Sequence, residues 1–175
     1  HTIRVERYGY AQAERTVTVG AGESRAEEFR LSIIRGTLAV QTQPGAVEVW
    51  EGEERLLTTK PGKDGYTSQL ATVQLPPGKH TLTLKAYGYA DLTKTVDITA
   101  SQTLTLREKL TFKPNLTLTT KDGKTYSGVL VKYGGDGTVS LELKPGMTRT
   151  FTPAEAPTYD KEALQRALEA WGAQH

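Results

Sequence analysis

The chain has no cysteine. Disulfides and thiolate metal sites are therefore excluded, and the redox state of its compartment leaves no trace in the sequence. An excess of one charge is also missing: 22 Lys and Arg face 20 Asp and Glu, interspersed, for a formal net charge of +2. That near balance argues against a strong electrostatic footprint for nucleic acid or a membrane surface. No apolar run approaches the ~20 residues of a transmembrane helix, and the opening HTIRVERY has no signal-peptide pattern. Histidine is confined to His1, His80 and His175. Nucleophilic catalysis needs a base beside its nucleophile, and His1 and His80 occupy equivalent strand-start positions, which is a structural slot. Gly-x-Ser-x-Gly and His-x-x-x-His are absent. The glycine-rich PGKDG at 61–65 is not followed by Gly-Lys-Ser/Thr. Asp136 in GGDGT lacks the alternating ligands and distant Glu of a calcium loop. The expectation is a non-enzymatic protein with no cofactor and no metal.

Threonine is what the chain has in quantity, at 26 of 175 residues, much of it between apolar neighbours: TVTV, TLTLKA, TLTLRE, LTLTT. Thr is β-branched and polar, so it suits the wet face of a half-buried strand. The pattern predicts antiparallel β-structure with one solvated face.

The same Tyr-Gly-Tyr-Ala occurs at 8–11 and 87–90. Residues 1–31 align without a gap on 80–110, matching at His1/His80, Thr2/Thr81, Tyr8/Tyr87, Gly9/Gly88, Tyr10/Tyr89, Ala11/Ala90, Thr16/Thr95, Val17/Val96, Ala21/Ala100 and Leu31/Leu110. A fixed offset marks a repeated unit. The second copy is preceded by an upstream half at 36–79 and the first is not, so the chain is expected to start inside a repeat of a larger protein. Units of ~75 residues bury a modest core and gain from stacking on a neighbour.

Strands are expected at 2–8, 15–19 and 27–33. A new unit opens at GTLAVQTQPGAVEVWEG, where Leu38 and Val40 alternate with polar residues, Pro44-Gly45 signals a turn, and Val47 and Val49 share a face. Residues 53–71 show no strong period and predict a long loop. VQLPPGKHTLTLKAYGY predicts a hairpin turning at Pro77-Gly78, with strands following around Val96–Ile98 and Leu104–Leu106. Tyr-Gly-Tyr then falls where a strand ends and bends, with Gly88 free to take a positive φ or a bulge. Either the tyrosines are packed aromatics of a turn, or they form a ligand platform.

GTLAV, PGAVEVWEG, LPPGKHTLTLKAYGY and the closing TVDI…LTL resemble the PEGA domain family over 36–110, with a partial copy at 1–31. Two departures stand out: Pro-Glu-Gly-Ala appears as Pro44-Gly45-Ala46, and the long 53–71 segment replaces a short Gly-x-Thr-Pro. The resemblance implies a small immunoglobulin-like β-sandwich of bacterial or archaeal surface or membrane-anchored proteins, hence an extracytoplasmic location, with no established enzymatic role. Past Lys113-Pro114, four or five short strands divided by Asp122-Gly123, Gly134-Gly135-Asp136-Gly137 and Pro145-Gly146 suggest a small barrel. Residues 115–155 resemble an SH3-like barrel of the SLA1-homology type, with an opening that an Sm-like barrel shares. The tail TYDKEALQRALEAWGAQH predicts an amphipathic helix: Asp160 as N-cap, Leu164, Leu168 and Trp171 as the stripe, Glu162 and Arg166 as a pair, Gly172 as the C′ stop. The stripe either docks on the barrel or faces a partner.

The expected organisation is all-β: 1–35, the C-terminal half of a truncated PEGA-like repeat; 36–113, a complete PEGA-like sandwich; 114–157, an SH3-like barrel; and 158–175, the helix. The candidate ligand-binding residues are Trp50, Tyr8, Tyr10, Tyr87 and Tyr89. Trp50 either stacks on a sugar or covers the sandwich end, and Glu51, Glu53 and Glu54 either pair or form an exposed charged loop. The leading function is a structural, spacer or protein-interaction module of a larger bacterial surface protein, with other domains of the same parent as partners and a membrane reached only through an anchor outside this sequence. The alternatives are a domain binding cell-wall glycan or peptide, and a cytosolic nucleic-acid-binding barrel. For the last, Lys121, Lys124, Lys132, Lys144 and Arg149 stand against Asp122, Asp136 and Glu142 beside Tyr126 and Tyr133, an excess of only two charges, so no nucleic acid is expected.

Overall fold

The computed structural model describes residues 1–155 and 157–173. The described chain is all-β with one C-terminal α-helix and a single 3-10 turn. It begins with a hairpin of β1 (Thr2–Val5) and β2 (Ala13–Thr16), paired antiparallel with Thr2 opposite Thr16. The strand expected at 27–33 does not form; only an isolated bridge joins Ile33 to Tyr10.

Two sheets follow. One has the order β6-β3-β9, the other β5-β4-β7-β8. The first joins β3 (Gly36–Gln43), β6 (Ala71–Leu75) and β9 (Thr103–Lys109); β3 and β9 run parallel and their other contacts are antiparallel. The second joins β4 (Glu48–Glu51), β5 (Glu54–Thr58), β7 (Gly78–Lys85) and β8 (Leu92–Ile98). Alternation puts Leu38 and Val40 of β3, Val49 of β4, Leu82 and Leu84 of β7 and Ile98 of β8 into one shared core, each at most 2% exposed. Thr faces outward on the same strands, as at Thr81 and Thr93, so the period of two makes a dry face and a wet one. The stretch 53–71 is not one loop. Glu54–Thr58 forms β5, whose alternation is interrupted by a bulge opposite Val49 and Trp50. The rest is tied down by buried polar groups: Thr59 Oγ1 accepts from Val47 N (2.9 Å) and Ser68 Oγ accepts from Thr42 N (2.8 Å). Those bonds satisfy backbone groups that burial would otherwise orphan.

The C-terminal sheet has the order β13-β12-β11-β10-β14, from β10 (Leu116–Thr119), β11 (Thr125–Tyr133), β12 (Val139–Lys144), β13 (Met147–Phe151) and β14 (Thr158–Tyr159). A 3-10 turn at Pro153–Glu155 carries the chain back to pair β14 with β10. The expected barrel does not close: among the described residues the edge strands β13 and β14 are not paired with each other, and β14 is only two residues long. The apolar face is covered instead by α1 (Lys161–Gly172). Ala167 is buried with Leu116, Leu118, Leu130, Leu141 and Phe151, and Leu164, Leu168 and Trp171 pack against that cluster. Asp160 caps the helix, accepting from Ala163 N at 2.6 Å, and Glu162 meets Arg166 at 3.7 Å. Gly172 is the last helical residue rather than the C′ stop; Ala173, still right-handed at φ −67°, closes the helix. His175 lies outside the described residues.

Candidate functional site

The two Tyr-Gly-Tyr corners are built by the same bonds. Gly9 and Gly88 have φ of 78° and 79°, a left-handed conformation that favours glycine. Tyr10 N donates to Arg7 O and Tyr89 N to Ala86 O; Ala11 N donates to Ser32 O and Ala90 N to Thr111 O; Ile34 N donates to Gly9 O and Lys113 N to Gly88 O. Each bond recurs 79 positions on. The ladders correspond too: Thr2 faces Thr16 as Thr81 faces Thr95.

Each glycine presses on the element that follows. A Cβ on Gly9 would stand 3.1 Å from Pro77 Cγ, and one on Gly88 would stand 2.6 Å from Val129 Cγ2. The tyrosines differ. Tyr87 Oη donates to Leu130 O (2.8 Å) and accepts from Asn115 Nδ2 (3.0 Å), while Asn115 Oδ1 accepts from Leu130 N (2.9 Å). Tyr87 thus clamps the sandwich to β11, and burial pushes its phenol pKa up. Tyr8, its repeat equivalent, is 77% exposed. Tyr89 packs edge-on against Phe112 (centroids 5.6 Å) and against the sandwich core. Its phenol is pushed up to about 12, first by burial, then by the charges of Glu142 and Tyr66. Tyr10 lies under the Arg7 guanidinium, 4.7 Å from its centroid.

Trp50 is not gathered with these tyrosines. Its Nε1 donates to Glu48 Oε2 (3.0 Å), and Arg55 and Lys85 stand over its ring at 5.8 and 5.6 Å. The Arg55 guanidinium on Glu48 holds that carboxyl below its ordinary range. His80 is a clasp between strands, its Nδ1 at 2.9 Å from Glu51 Oε1 and its Nε2 at 2.8 Å from Pro76 O. Glu53 and Glu54 are exposed. Asp136 accepts from Thr138 N (3.0 Å) and Thr138 Oγ1 (2.7 Å), an Asx turn within the β11–β12 connection, and those bonds lower its pKa. Of the bases on the C-terminal sheet, Lys124 pairs with Asp122 and Arg149 with Glu155, both at 2.9 Å, and Arg149 also covers Tyr126 and Phe151. Among the described residues, no group of three or more His, Asp or Glu is placed to hold a metal ion.

Two adjoining clefts run beside the second corner. One, of ≈ 490 Å³, lies between the sandwich and the C-terminal sheet and is lined by Asp64, Tyr66, Tyr87, Tyr89 and Glu142. The other, of ≈ 390 Å³, is lined by Glu48, Lys85 and Asp91, and shares Ala46, Ala86 and Tyr87 with the first. Sequence reasoning found Tyr87 and Tyr89 but missed Asp64, Tyr66 and Glu142. Asp64 sits in the PGKDG turn, where it accepts from Tyr66 N (2.9 Å) and Thr67 N (2.8 Å). Glu142 lies 78 positions further on, so no local spacing links the two.

Two facing sheets that share one core, with a corner glycine docked on the next element, define a small β-sandwich module. The family model for the PEGA domain matches residues 65–114, a span that includes β6, β7, β8 and β9 and ends just before β10. No curated protein matches the chain. Among solved structures, the chain is similar to the Bacillus anthracis TIE protein, at 16% identity over 83% of this chain and 36% of that one, with a TM-score of 0.44. The chain therefore spans about a third of that protein's length. No helix among the described residues is long and apolar enough to cross a membrane.

Proposed function

We propose that the chain is a non-enzymatic spacer or protein-interaction module of a larger bacterial protein outside the cytoplasm. In this reading immunoglobulin-like PEGA units in tandem lead into an SH3-like sheet. The observation that carries it is the joint at Tyr87. Two hydrogen bonds to its hydroxyl and the close approach of Gly88 to Val129 hold successive units at a set angle, which is what a spacer needs and what an independent binding domain does not. The C-terminal unit supports the second half of the reading: a four-stranded meander, a 3-10 turn and a fifth strand returning to the first follow the SH3-like order. The partners are then neighbouring domains of the same parent.

The test is the angle between units. Residual dipolar couplings and small-angle scattering should describe one orientation of the sandwich and the C-terminal sheet. Tyr87→Phe with Asn115→Ala should broaden that distribution while leaving each unit folded. Independent tumbling of the two units in the wild-type protein would sink the proposal.

A further inference from the structure

We propose that the cleft between the sandwich and the C-terminal sheet binds an extended peptide through its arginine side chains. The inference rests on the two units being held as proposed above, because Asp64, Tyr66 and Tyr89 come from one and Glu142 from the other.

The chemistry of the walls selects the ligand. The larger cleft presents three tyrosine rings and two carboxylates, and no basic residue lines it. The Tyr87 hydroxyl is already bonded to Leu130 and Asn115, so that residue offers its ring and not its oxygen. Tyr89 keeps its phenol proton, since burial, Glu142 and Tyr66 all push its pKa up. The Thr67 hydroxyl and then the backbone N–H groups of Tyr66 and Thr67 hold the Asp64 carboxyl below its ordinary range, and so ionised. The larger cleft is thus aromatic and negative, which favours a planar cation: guanidinium stacks on a ring face and donates to a carboxylate beside it. The smaller cleft continues the groove through Ala46, Ala86 and Tyr87; there Lys85 stands over the Trp50 ring and Arg55 pairs with Glu48, so Asp91 is the carboxylate it adds, and the added length favours an extended chain over a single small cation. A neutral sugar can donate its hydroxyls to the carboxylates but gains no charge attraction from them, and an acidic one would be repelled.

The probe is the capped hexapeptide Ac-Gly-Arg-Gly-Arg-Gly-Lys-NH2, titrated while the Tyr66 and Tyr89 ring resonances are followed. A citrulline version lacking the guanidinium charge serves as one control, and chitotetraose as another. Scattering on the same sample reports whether the joint is intact. The expected result is saturable shifts at Tyr66, Tyr89 and Glu142 with the arginine peptide only. The double variant Asp64→Asn, Glu142→Gln keeps the acceptors for Tyr66 N, Thr67 N and Gly146 N but removes both charges, and should weaken binding about ten-fold or more. Equal binding of the citrulline peptide or of chitotetraose, or no shifts at millimolar peptide with the joint intact, would overturn the cleft assignment and leave the spacer reading standing. Loss of the joint in the unmodified protein would overturn both.

Discussion

Tyr8 and Tyr87 occupy the same position in two corners with the same hydrogen bonds, yet one points into water and the other fastens two units together. The contrast runs through everything around them. Ile3 is 36% exposed where its equivalent Leu82 is fully buried, and Val5 is half-buried where Leu84 is fully buried. Residues 103–109 form β9 alongside β3, while their equivalents at 24–30 form no strand. The corner is therefore a local structure, made by one left-handed glycine and bonds within its own copy. The strand is not. A lone ribbon of apolar and polar residues is marginal in water, and pairing with a neighbour supplies the missing backbone partners and burial.

Substituting the two copies in parallel sharpens this contrast. The largest gap should come from the core. Leu84→Ala empties a fully buried site and should cost about 2–5 kcal/mol by denaturant unfolding, whereas Val5→Ala should cost under about 1 kcal/mol. Equal costs would mean that the first hairpin packs a core of its own. Next come the corner glycines. Gly88→Val combines a strained φ with a clash against Val129 and should cost about 2–4 kcal/mol. Gly9→Val carries the same backbone strain but meets only the edge of Pro77, so its effect should be smaller and confined to amide exchange in residues 1–35. An unchanged melt for Gly88→Val would remove the corner from the account of how units join.

What was legible in the sequence follows the same line. The alternation of Leu38, Val40, Leu82 and Leu84, the left-handed glycine turns and the Asp160 cap are set by neighbours close in sequence, and each stands where the pattern put it. The open C-terminal sheet and the missing strand at 27–33 depend on which distant segment is available to pair. The strand β5 was hidden because its bulge breaks the period near Trp50 and Arg55. The candidate cleft was half visible. Tyr87 and Tyr89 were marked by the repeat, but Asp64, Tyr66 and Glu142 meet them only through the packing of two units. Trp50 was singled out as an aromatic at a strand end, and the cations over its ring come from β5 and β7.

A smaller difference separates the two first tyrosines. Tyr87→Phe leaves Asn115 Nδ2 and Leu130 O without that hydroxyl and should cost about 1–2 kcal/mol. Tyr8→Phe, at an exposed ring, should fall within about 0.5 kcal/mol of wild type. If both behaved alike, the clamp would contribute nothing to holding the units.

The smallest effect concerns the second tyrosines, Tyr10 and Tyr89, in alkali. The Tyr89 phenol is raised from an ordinary 10 to about 12 in the folded chain, chiefly by burial. The folded state therefore holds a proton that the unfolded state releases first. The resulting contribution is fully present below pH 10 and is lost as pH rises from 10 towards 12. Because much of the ring still meets solvent, screening should hold the loss below about 1 kcal/mol. Lysines and other tyrosines titrate in the same window, so the informative quantity is the difference between proteins. Tyr89→Phe should fall less steeply with pH than wild type between 10 and 12, and Tyr10→Phe should keep the wild-type slope. Identical slopes in all three would mean that Tyr89 ionises as freely in the folded chain as in the unfolded one, and that the cleft beside it is wetter and less negative than its lining of Glu142 and Tyr66 implies.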